Sequence, residues 1–474
     1  MRDAPLRRYY PAHILLVVCS LFPGLINTVA FAMIAPHVGV DLGGSQALLA
    51  AVPLAADAAL AFGSILSAEV SRRVDGRNLF VCLLAVSFVS AACEATATHI
   101  VVFVAALLVH ALAAGMLLIV ALPPMLTTFG AKRLPPTGLI LVASLFGSVT
   151  LGPVVGSVLD GPSLWRTAFA GDTIVALVAL VLALFTLAPR PAAQPLPAID
   201  WYAICVASIS TLLIFTGVFR LETTGWLEPH ATIPFALGVC GYVVLIVGEF
   251  LRRDGLVPVR ALLGSLALAG ACATVVGNAC YAATADATIA VLTRVDGEAL
   301  RVAGLALWPG ILGAVAGAFV FARVMTTRWV VVLGAVGLVF SGAAAVLALR
   351  AQPFGVSHAQ WVIFAAAFGA GLTIVPGLFL IALSIERAML GRAMALLNLL
   401  RLTGGFIAGP GVAHTIYQFH LREGIDQIYE TVVVAAAVGI VVIATILRIA
   451  HAPLRDPDLA AFDAGHAALV SPRI

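Results

Sequence analysis

The sequence predicts an all-α integral membrane protein with about fourteen transmembrane helices. Of its 474 residues, 62% are hydrophobic and only 10% are charged, whereas soluble domains carry roughly 25% charged residues. Its mean hydropathy is +1.10, and the apolar residues form continuous blocks instead of the alternating pattern of a membrane β-strand. Since about 20 apolar residues cross a bilayer core of ~30 Å, the chain is long enough for fourteen spans joined by short loops.

The individual helices follow from apolar runs that are bounded by charged residues or by Pro and Gly clusters. The first run follows the arginines of a basic N-terminus, but no small-residue cleavage site comes after it, so it is a helix and not a signal peptide. In order, the runs cover residues 14–36, 47–70, 79–97, 99–128, 137–159, 166–188, 201–219, 231–251, 262–292, 302–322, 329–349, 359–385, 391–417 and 430–450.

The positions of the basic residues predict the orientation of these helices. With both termini in the cytoplasm, nineteen of the 26 Lys and Arg residues fall in inner loops, six fall in outer loops and Arg401 lies within a span. This excess of inner positive charge is the asymmetry that orients membrane proteins. We therefore expect a multi-pass protein of a bacterial cell inner membrane with both termini cytoplasmic.

Two sequence echoes predict an internal repeat. GSVTLGPVVGS (147–157) in the fifth helix resembles GGFIAGPGVAH (404–414) in the thirteenth, and SRRVDGR (71–77) after the second helix has a weaker echo in ARVMTTR (322–328) after the tenth. The echoes become equivalent if helices 7 and 8 are an insertion. Two parallel six-helix halves then enclose a site near the bilayer midplane. The predicted units are a cytoplasmic N-terminus (1–13), an N-terminal bundle (14–188), the inserted helices (201–251), a C-terminal bundle (262–450) and a polar, partly disordered cytoplasmic tail (451–474).

Several motifs follow one another along the chain. They are Gly138, Gly147, Gly152, Pro153 and Gly156 in helix 5, WRTAF (165–169), PVRAL (258–262), AGLALWPGI (303–311) and GRAMALLNLLRLTGG (391–405), which includes Asn398, Arg401, Gly404 and Gly405. In this order and spacing they resemble the fourteen-helix drug:proton antiporter family of the major facilitator superfamily. The resemblance implies a major-facilitator fold of two six-helix bundles plus two inserted helices. It also implies a secondary active transporter that exports amphipathic small molecules by alternating access, coupled to protons, as in multidrug efflux.

The chain departs from the family pattern where that pattern carries charge. Asn27 stands where the family has an Asp in helix 1, and an Asn side chain takes up no proton. Ala111 replaces an Arg in helix 4, although His110 is adjacent. The loop after helix 2 keeps the bases Arg72, Arg73 and Arg77 but has lost the usual Gly and Asp. These departures leave proton coupling through helix 1 in doubt.

Ionisable residues within apolar spans are the candidates for coupling and binding, because an ionised group inside hydrocarbon is costly unless it faces water or a partner. Asp57 in helix 2 is the first candidate for a proton site or a cation counter-charge, the alternative being a helix cap or an Arg partner. Asp286 in helix 9 is either functional or paired with Arg294 or Arg301. Arg401 is expected to pair with an acid or with carbonyl groups, and direct binding of a substrate anion is the less favoured alternative.

The remaining polar candidates have more ordinary interpretations beside the functional ones. An unperturbed histidine titrates near neutral pH, which makes His110 a candidate, yet a histidine among apolar residues is more often a hydrogen-bonded packing residue. Asn27 and Asn278 are most simply interhelical hydrogen-bonding groups, with substrate contact as an alternative for Asn27. Asp172 is expected to pair with Arg166. Three acids near helix ends are expected to be solvated: Glu94, Glu249 and Glu386.

Glycine and proline inside spans mark helices that bend or approach closely. The alternatives are a moving seam between the two halves and ordinary close packing, and the paired Gly-Pro sites favour the seam. The candidate gating residues are Gly147, Gly152, Pro153, Gly156, Pro309, Gly405, Gly409 and Pro410, together with the loop bases Arg72, Arg73 and Arg77.

Other classes of function lack support. There is no phosphate-binding Gly-x-x-x-x-Gly-Lys-Ser/Thr loop and no His-Glu-x-x-His zinc helix, so we expect no enzyme, no cofactor and no metal. The net charge of +3 is too small to suggest nucleic acid. The expected partners are a small-molecule substrate, protons and membrane lipid, with a monomeric protein and a periplasmic adaptor as an option. There are two alternatives: a facilitator without proton coupling, and a non-transporting sensor or assembly partner. A wet cavity that holds Asp57 and Arg401 would favour transport, and a dry interior would favour the sensor.

Overall fold

The structure is a computed structural model that describes residue 6 and residues 9–188, 198–221, 228–252, 255–351, 353–418 and 421–472. Within these ranges the chain is helical and contains no β-strand. The fourteen long helices are α1 Tyr10–Leu42, α2 Gln46–Val70, α3 Gly76–Thr96, α4 Ile100–Thr127, α5 Leu134–Val158, α6 Leu164–Thr186, α7 Trp201–Leu221, α8 Pro229–Leu251, α9 Ser265–Ala290, α10 in two pieces (Leu300–Ala306 and Pro309–Val324), α11 Val330–Arg350, α12 Gly355–Ser384, α13 Leu390–Gln418 and α14 Leu421–Ile449.

The predicted fold class is confirmed. In the part of the chain that the structure describes, thirteen helices are long and apolar enough to cross a membrane, and α13 is a further helix of 29 residues. Helix α1 has 33 residues, which at about 1.5 Å per residue is longer than the bilayer core. It begins four residues before the predicted run 14–36 and ends six residues after it.

The observed helix boundaries differ most from the predicted ones where the sequence is polar or contains Trp-Pro. Helix α14 begins at Leu421, nine residues before the predicted start, because its first turns carry acids and an apolar-run criterion misses amphipathic turns. Helix α10 ends its first piece at Ala306 and restarts at Pro309, since a proline has no N–H to donate to the preceding turn. Helix α9 continues past Ala290 as one π-helical turn, Val291–Val295.

The helix packing shows a repeat. In the first six helices α2 packs on α4, α1 on α5 and α3 on α6; in the last six α10 packs on α12, α9 on α13 and α11 on α14. The two sets meet along two equivalent seams, α5 against α10 and α2 against α13. Helices α7 and α8 form a hairpin that packs through α7 on α2 and α13.

The C-terminal segment is ordered, which corrects the expectation of a partly disordered tail. Phe462 and Leu469 are buried, and the short helix Leu459–Asp463 begins at Asp458, whose carboxylate accepts the first backbone N–H groups. Asp463 Oδ1 accepts a hydrogen bond from the Ala131 N–H at 2.7 Å. The Leu469 N–H donates to the Leu383 carbonyl at 2.8 Å. Apolar side chains spaced along a polar segment therefore attach it to the ends of the bundle helices.

Candidate functional site

A central cavity of about 280 Å³ lies between the two sets of six helices. Its walls come from α1, α2, α4 and α5 on one side and from α9, α12 and α13 on the other. Most of the lining is aliphatic or aromatic, including Leu25, Leu145, Phe146 and Ile374. The charged or amide side chains in the lining are Asp57, Asp286, Arg401 and Asn278. The cavity is therefore an apolar pocket with a small number of charged groups, the usual composition of a small-molecule site.

Arg401 is held by side-chain amides: of the two expected kinds of partner, an acid or carbonyl groups, the structure shows amide carbonyl oxygens. Its Nε and Nη2 donate to Asn398 Oδ1 at 3.1 and 2.7 Å, and its Nη1 donates to Asn278 Oδ1 at 3.4 Å. The Asn278 amide in turn donates to the Arg401 carbonyl at 3.1 Å. Within the described residues no carboxylate oxygen lies within 4.0 Å of the guanidinium. The arginine charge is thus fixed in place on the cavity wall without being neutralised by direct contact.

Asn398 connects this arrangement to the other half of the molecule. Its Nδ2 donates to Ser64 Oγ on α2 at 2.6 Å, and both side chains are buried. The link crosses the α2–α13 seam, so the position of the Arg401 guanidinium depends on both halves. Ser64 was not recognised from the sequence, because a serine that fills a small gap between helices has no distinguishing pattern.

The two cavity carboxylates have no direct partner among the described side chains. Asp57 lies on α2 and is partly buried, and Asp286 lies on α9 and is exposed within the cavity. Asp57 is close enough to be attracted by Arg401 and repelled by Asp286, but it forms no ion pair with Arg401. In the described part of the chain no ion pair joins Asp286 to Arg294 or Arg301. Both carboxylates are available to a ligand or a proton.

A second polar cluster lies inside the first six helices, away from the cavity lining. His110 Nδ1 on α4 is 3.1 Å from Glu94 Oε1 on α3, and His110 Nε2 is 3.8 Å from Asp172 Oδ2 on α6. Asn27 on α1 donates to Asp172 Oδ2 at 2.9 Å. All four side chains are buried. We call these residues the four-helix cluster.

The structure corrects three expectations from the sequence, two of them in the four-helix cluster. Glu94 is fully buried and not solvated, and Glu249 is also buried, accepting the Val257 N–H at 2.7 Å. Asp172 pairs with His110 and Asn27 instead of Arg166. Arg166 donates to the Ala95 and Ala97 carbonyls at 3.1 and 2.8 Å. Asn27 forms an interhelical hydrogen bond with Asp172, which was its simplest interpretation, and it is not among the residues that line the cavity. Sequence alone does not give the rotation of each helix, which decides all of these contacts.

The glycine motif of α5 lies on its contacts with α1 and α10. A β-carbon at Gly152 would stand 2.6 Å from Val29 Cβ, and one at Gly156 would stand 2.6 Å from the Ala30 carbonyl oxygen. A β-carbon at Gly138 would stand 2.8 Å from Phe321 on α10, whereas the space around Gly147 is open. Close helix approach therefore requires three of the four predicted glycines.

The other motif residues lie at the seams or at helix ends. Pro153 lines the cavity, and Pro309 is buried at the restart of α10. Gly405 lies against the Asn278 amide. Gly409 and Pro410 belong to α13, but their surroundings are outside the described part of the structure.

The three loop bases lie at the end of α2 and just after it. Arg73 Nε donates to the buried Glu69 carboxylate at 2.7 Å, and Arg72 Nη1 donates to the same carboxylate at 3.4 Å. Arg77 donates to the Leu184 carbonyl at 3.3 Å.

Comparison with known structures shows the fold. A POT family transporter in complex with a thioalcohol-conjugated peptide matches with a TM-score of 0.67 at 12% identity, over 93% of this chain and 98% of that one. The human organic anion transporter MFSD10 (TETRAN) matches with a TM-score of 0.65 at 14% identity, over 93% and 99%. A peptide transporter POT in complex with sulfate gives 0.64 at 14% identity, over 96% and 98%. At these identities the likeness concerns the fold alone.

Sequence comparison identifies the family. An uncharacterised MFS-type transporter, YubD of Bacillus subtilis (strain 168), is 21% identical over 258 residues, which is 54% of this chain and 50% of that protein. The match thus spans about half the length of this curated relative. The model of the Major Facilitator Superfamily matches residues 16–409, which is most of the chain. These results, with the helical fold and the central cavity, place the chain in the Major Facilitator Superfamily.

Proposed function

We propose that this transporter exports amphipathic small molecules by alternating access and couples export to proton entry, as the resemblance to the fourteen-helix drug:proton antiporters implies. The observation that supports this most directly is the central cavity, which places Asp57, Asp286 and Arg401 in one apolar space between the two halves. The apolar walls suit the hydrocarbon part of an amphipathic substrate. The unpaired charges suit its polar part and a proton.

Asp57 is the proposed site of coupling. It lies on α2, lines the cavity and interacts electrostatically with Arg401 without contacting it. A carboxylate in this position gains or loses a proton as the cavity exchanges water with one side of the membrane or the other. Protonation removes one negative charge from the cavity, which weakens the attraction for a positively charged substrate group. Binding of a proton at Asp57 and binding of the cationic substrate group in the cavity would therefore oppose each other.

The seams between the halves support the proposed movement. Helices α5 and α10 approach closely at Gly138 and Gly304, and α2 and α13 form the equivalent contact between the two repeats. Such surfaces can slide or rock with little loss of packing, because backbones approach without interlocking side chains. Rocking of one half against the other around a central site is the general mechanism of repeat-built transporters.

The test is uptake into inverted membrane vesicles with and without an imposed pH gradient. With ethidium, an amphipathic cation, and 8-aminooctanoate, a zwitterion, as separate labelled probes, we expect gradient-dependent accumulation of at least one of them by the wild type. Asp57→Asn should abolish the gradient dependence while leaving exchange of substrate between the two sides. The matched control is Asp160→Asn, a carboxylate outside the cavity that pairs with His37 at 2.8 Å; it should behave as wild type.

The alternatives give different results in the same assay. Accumulation that follows the substrate gradient alone, in the wild type as in Asp57→Asn, would indicate a facilitator without proton coupling. That possibility is favoured by one specific observation, namely that Asn27 occupies the position of the family's helix 1 acid. Binding without uptake under any gradient would indicate a non-transporting sensor or assembly partner and would contradict the proposal.

A further inference from the structure

We propose that the cavity selects zwitterions, binding an anionic group at Arg401 and Asn278 and a cationic group at Asp286, with an apolar spacer between them. This inference rests on the proposed function, because it takes the cavity as the substrate site. It assigns a chemical class of substrate from the way in which the charges of the cavity are partnered and spaced.

The anionic end is defined by the unused donors of Arg401. A guanidinium has five N–H donors, and three of them are directed to the carbonyl oxygens of Asn398 and Asn278. The two amides fix the plane of the group without cancelling its charge. The guanidinium also lines the cavity. A planar, fixed arginine with free donors is the preferred partner of a carboxylate, which it binds through two parallel hydrogen bonds.

The cationic end is defined by Asp286. Its side chain is exposed within the cavity and forms no hydrogen bond or ion pair with any side chain that the structure describes. A carboxylate that faces an otherwise apolar space attracts an ammonium group or another cation. Because Asp286 has no structural partner to lose, its replacement removes this attraction without breaking a contact of the fold.

The two ends have a defined spacing. Asn278 and Asp286 belong to the same helix, α9, and eight residues of α-helix cover about 12 Å. Both residues line the cavity, so they lie on the same face. Between them on this helix are Tyr281, Ala282 and Ala285, which also line the cavity. Tyr281 packs edge-on against Phe146 of α5 at 4.8 Å between ring centroids. The spacer therefore faces small and aromatic side chains.

Asp57 has a different role in this arrangement. It interacts electrostatically with both Arg401 and Asp286, so its charge acts on both ends of the substrate. It competes with the anionic group of the substrate for the arginine, and it adds to the attraction for the cationic group. The zwitterion requirement thus depends on Arg401 and Asp286, while Asp57 adjusts the strength of binding.

The test compares three ligands that share one chain. 8-Aminooctanoate carries both charges, octylamine carries only the cation and octanoate carries only the anion. An extended chain advances about 3.6 Å per three bonds, so 8-aminooctanoate separates its charges by about 10 Å. Dissociation constants are measured on the purified full-length protein in lipid nanodiscs by titration calorimetry. We expect 8-aminooctanoate to bind about tenfold or more tighter than either single-charge ligand, and 4-aminobutanoate, which is too short, to bind weakly.

Variants assign each end. Asp286→Asn should reduce binding of 8-aminooctanoate to the level of octanoate, and Arg401→Gln should reduce it to the level of octylamine. Arg401→Lys should restore part of the affinity, because it keeps the charge but loses the two-bond geometry. Asp160→Asn is the matched control and should leave all dissociation constants unchanged. Melting temperatures identify any variant that fails to fold, and Asp286→Asn carries the test if Arg401→Gln does so.

The outcomes separate this inference from the proposed function. Equal binding of octylamine and 8-aminooctanoate, unaffected by Arg401→Gln, would overturn the zwitterion assignment in favour of a simple cation site. Equal binding of all three ligands, or of none, would overturn it as well. Zwitterion-selective binding without gradient-dependent uptake would support this inference and remove the proposed export function. Uptake of ethidium without binding of 8-aminooctanoate would do the reverse.

Discussion

The histidine of the four-helix cluster lies between two carboxylates in a part of the protein that water does not reach. Glu94 and Asp172 face opposite nitrogens of the His110 ring, and Asn27 provides an additional hydrogen bond to Asp172. Burial of such groups is costly unless each has a partner, and removal of one partner leaves the other charge uncompensated. The cluster is therefore a set of interdependent residues that joins α1, α3, α4 and α6.

This interdependence predicts the effect of Glu94→Gln. We expect the variant to lose about 3 kcal/mol of stability, because His110 loses its nearest carboxylate. The measurement is the melting temperature of the purified protein in detergent. Glu386→Gln is the matched control, since Glu386 is an exposed acid at a helix end, and it should melt as wild type. Equal melting temperatures for both variants would show that His110 does not depend on Glu94.

At this scale the sequence reveals some functional residues and conceals others. Asp57, Asp286 and Arg401 are recognisable because a charge within an apolar run is rare, and all three line the cavity. Glu94 and Asp172 have the same signal but lie near helix ends, where water or a nearby arginine is the simpler explanation. Only the rotation and tilt of the helices bring them to His110, and these depend on packing between distant segments. Asn398 gives no signal in the sequence beyond the family resemblance, and Ser64 gives none at all.

At the scale of elements, the α5–α10 seam depends on one glycine of the broken helix. A β-carbon at Gly304 would overlap the Ser157 hydroxyl and stand 3.0 Å from the Pro153 carbonyl oxygen. Ser157 is fully buried, and its hydroxyl has no hydrogen-bond partner among the described atoms. The glycine and the serine thus share one space across the seam.

This shared space predicts that a second substitution restores the activity lost through a first one. Gly304→Ala should separate α5 from α10 and reduce transport several-fold, because overpacking of a close helix contact is unfavourable. Adding Ser157→Gly should restore much of the lost activity by removing the overlapping hydroxyl. Transport is measured in the inverted vesicles, with protein amounts normalised by immunoblot. Gly147→Ala, at a glycine with open space around it, serves as the control and should be active. Failure of the rescue would indicate that Ser157 is not the obstacle.

The number and approximate positions of the helices were predictable from this sequence, whereas the residues at which they begin and end were not. Continuous apolar runs mark the spans, because only a helix satisfies its backbone groups in hydrocarbon. The early start of α14 and the ordered C-terminal segment were missed, since both are amphipathic and their apolar residues are scattered. Phe462 and Leu469 become buried only because the helix ends to which they attach are close together in the folded protein.

At the scale of the whole molecule, orientation is the property most readily tested. The distribution of basic residues predicts cytoplasmic termini, which would place the loop between α4 and α5 in the cytoplasm. That loop contains Lys132, the single lysine of the chain, and its side chain is exposed. A membrane-impermeant amine reagent therefore reports the position of one known residue.

We expect the reagent to label the protein in inverted vesicles and not in intact cells. Lys132→Arg removes the reactive side chain and leaves the N-terminal amine as the remaining primary amine, so the difference between the two proteins isolates the signal of Lys132. The readout is biotin incorporation, detected after purification. Labelling of Lys132 in intact cells would reverse the predicted orientation of the whole protein.

The two sets of six helices agree in packing but not in charge. The contacts of α1–α6 recur in α9–α14, whereas the four-helix cluster occurs in the first set. The described residues of α9–α14 include no acid, histidine or basic side chain of comparable burial. This is the pattern expected after duplication of an ancestral six-helix unit and later specialisation of its copies. Helix pairing is therefore the inherited property that the two sets still share, and the buried acids belong to the first set alone.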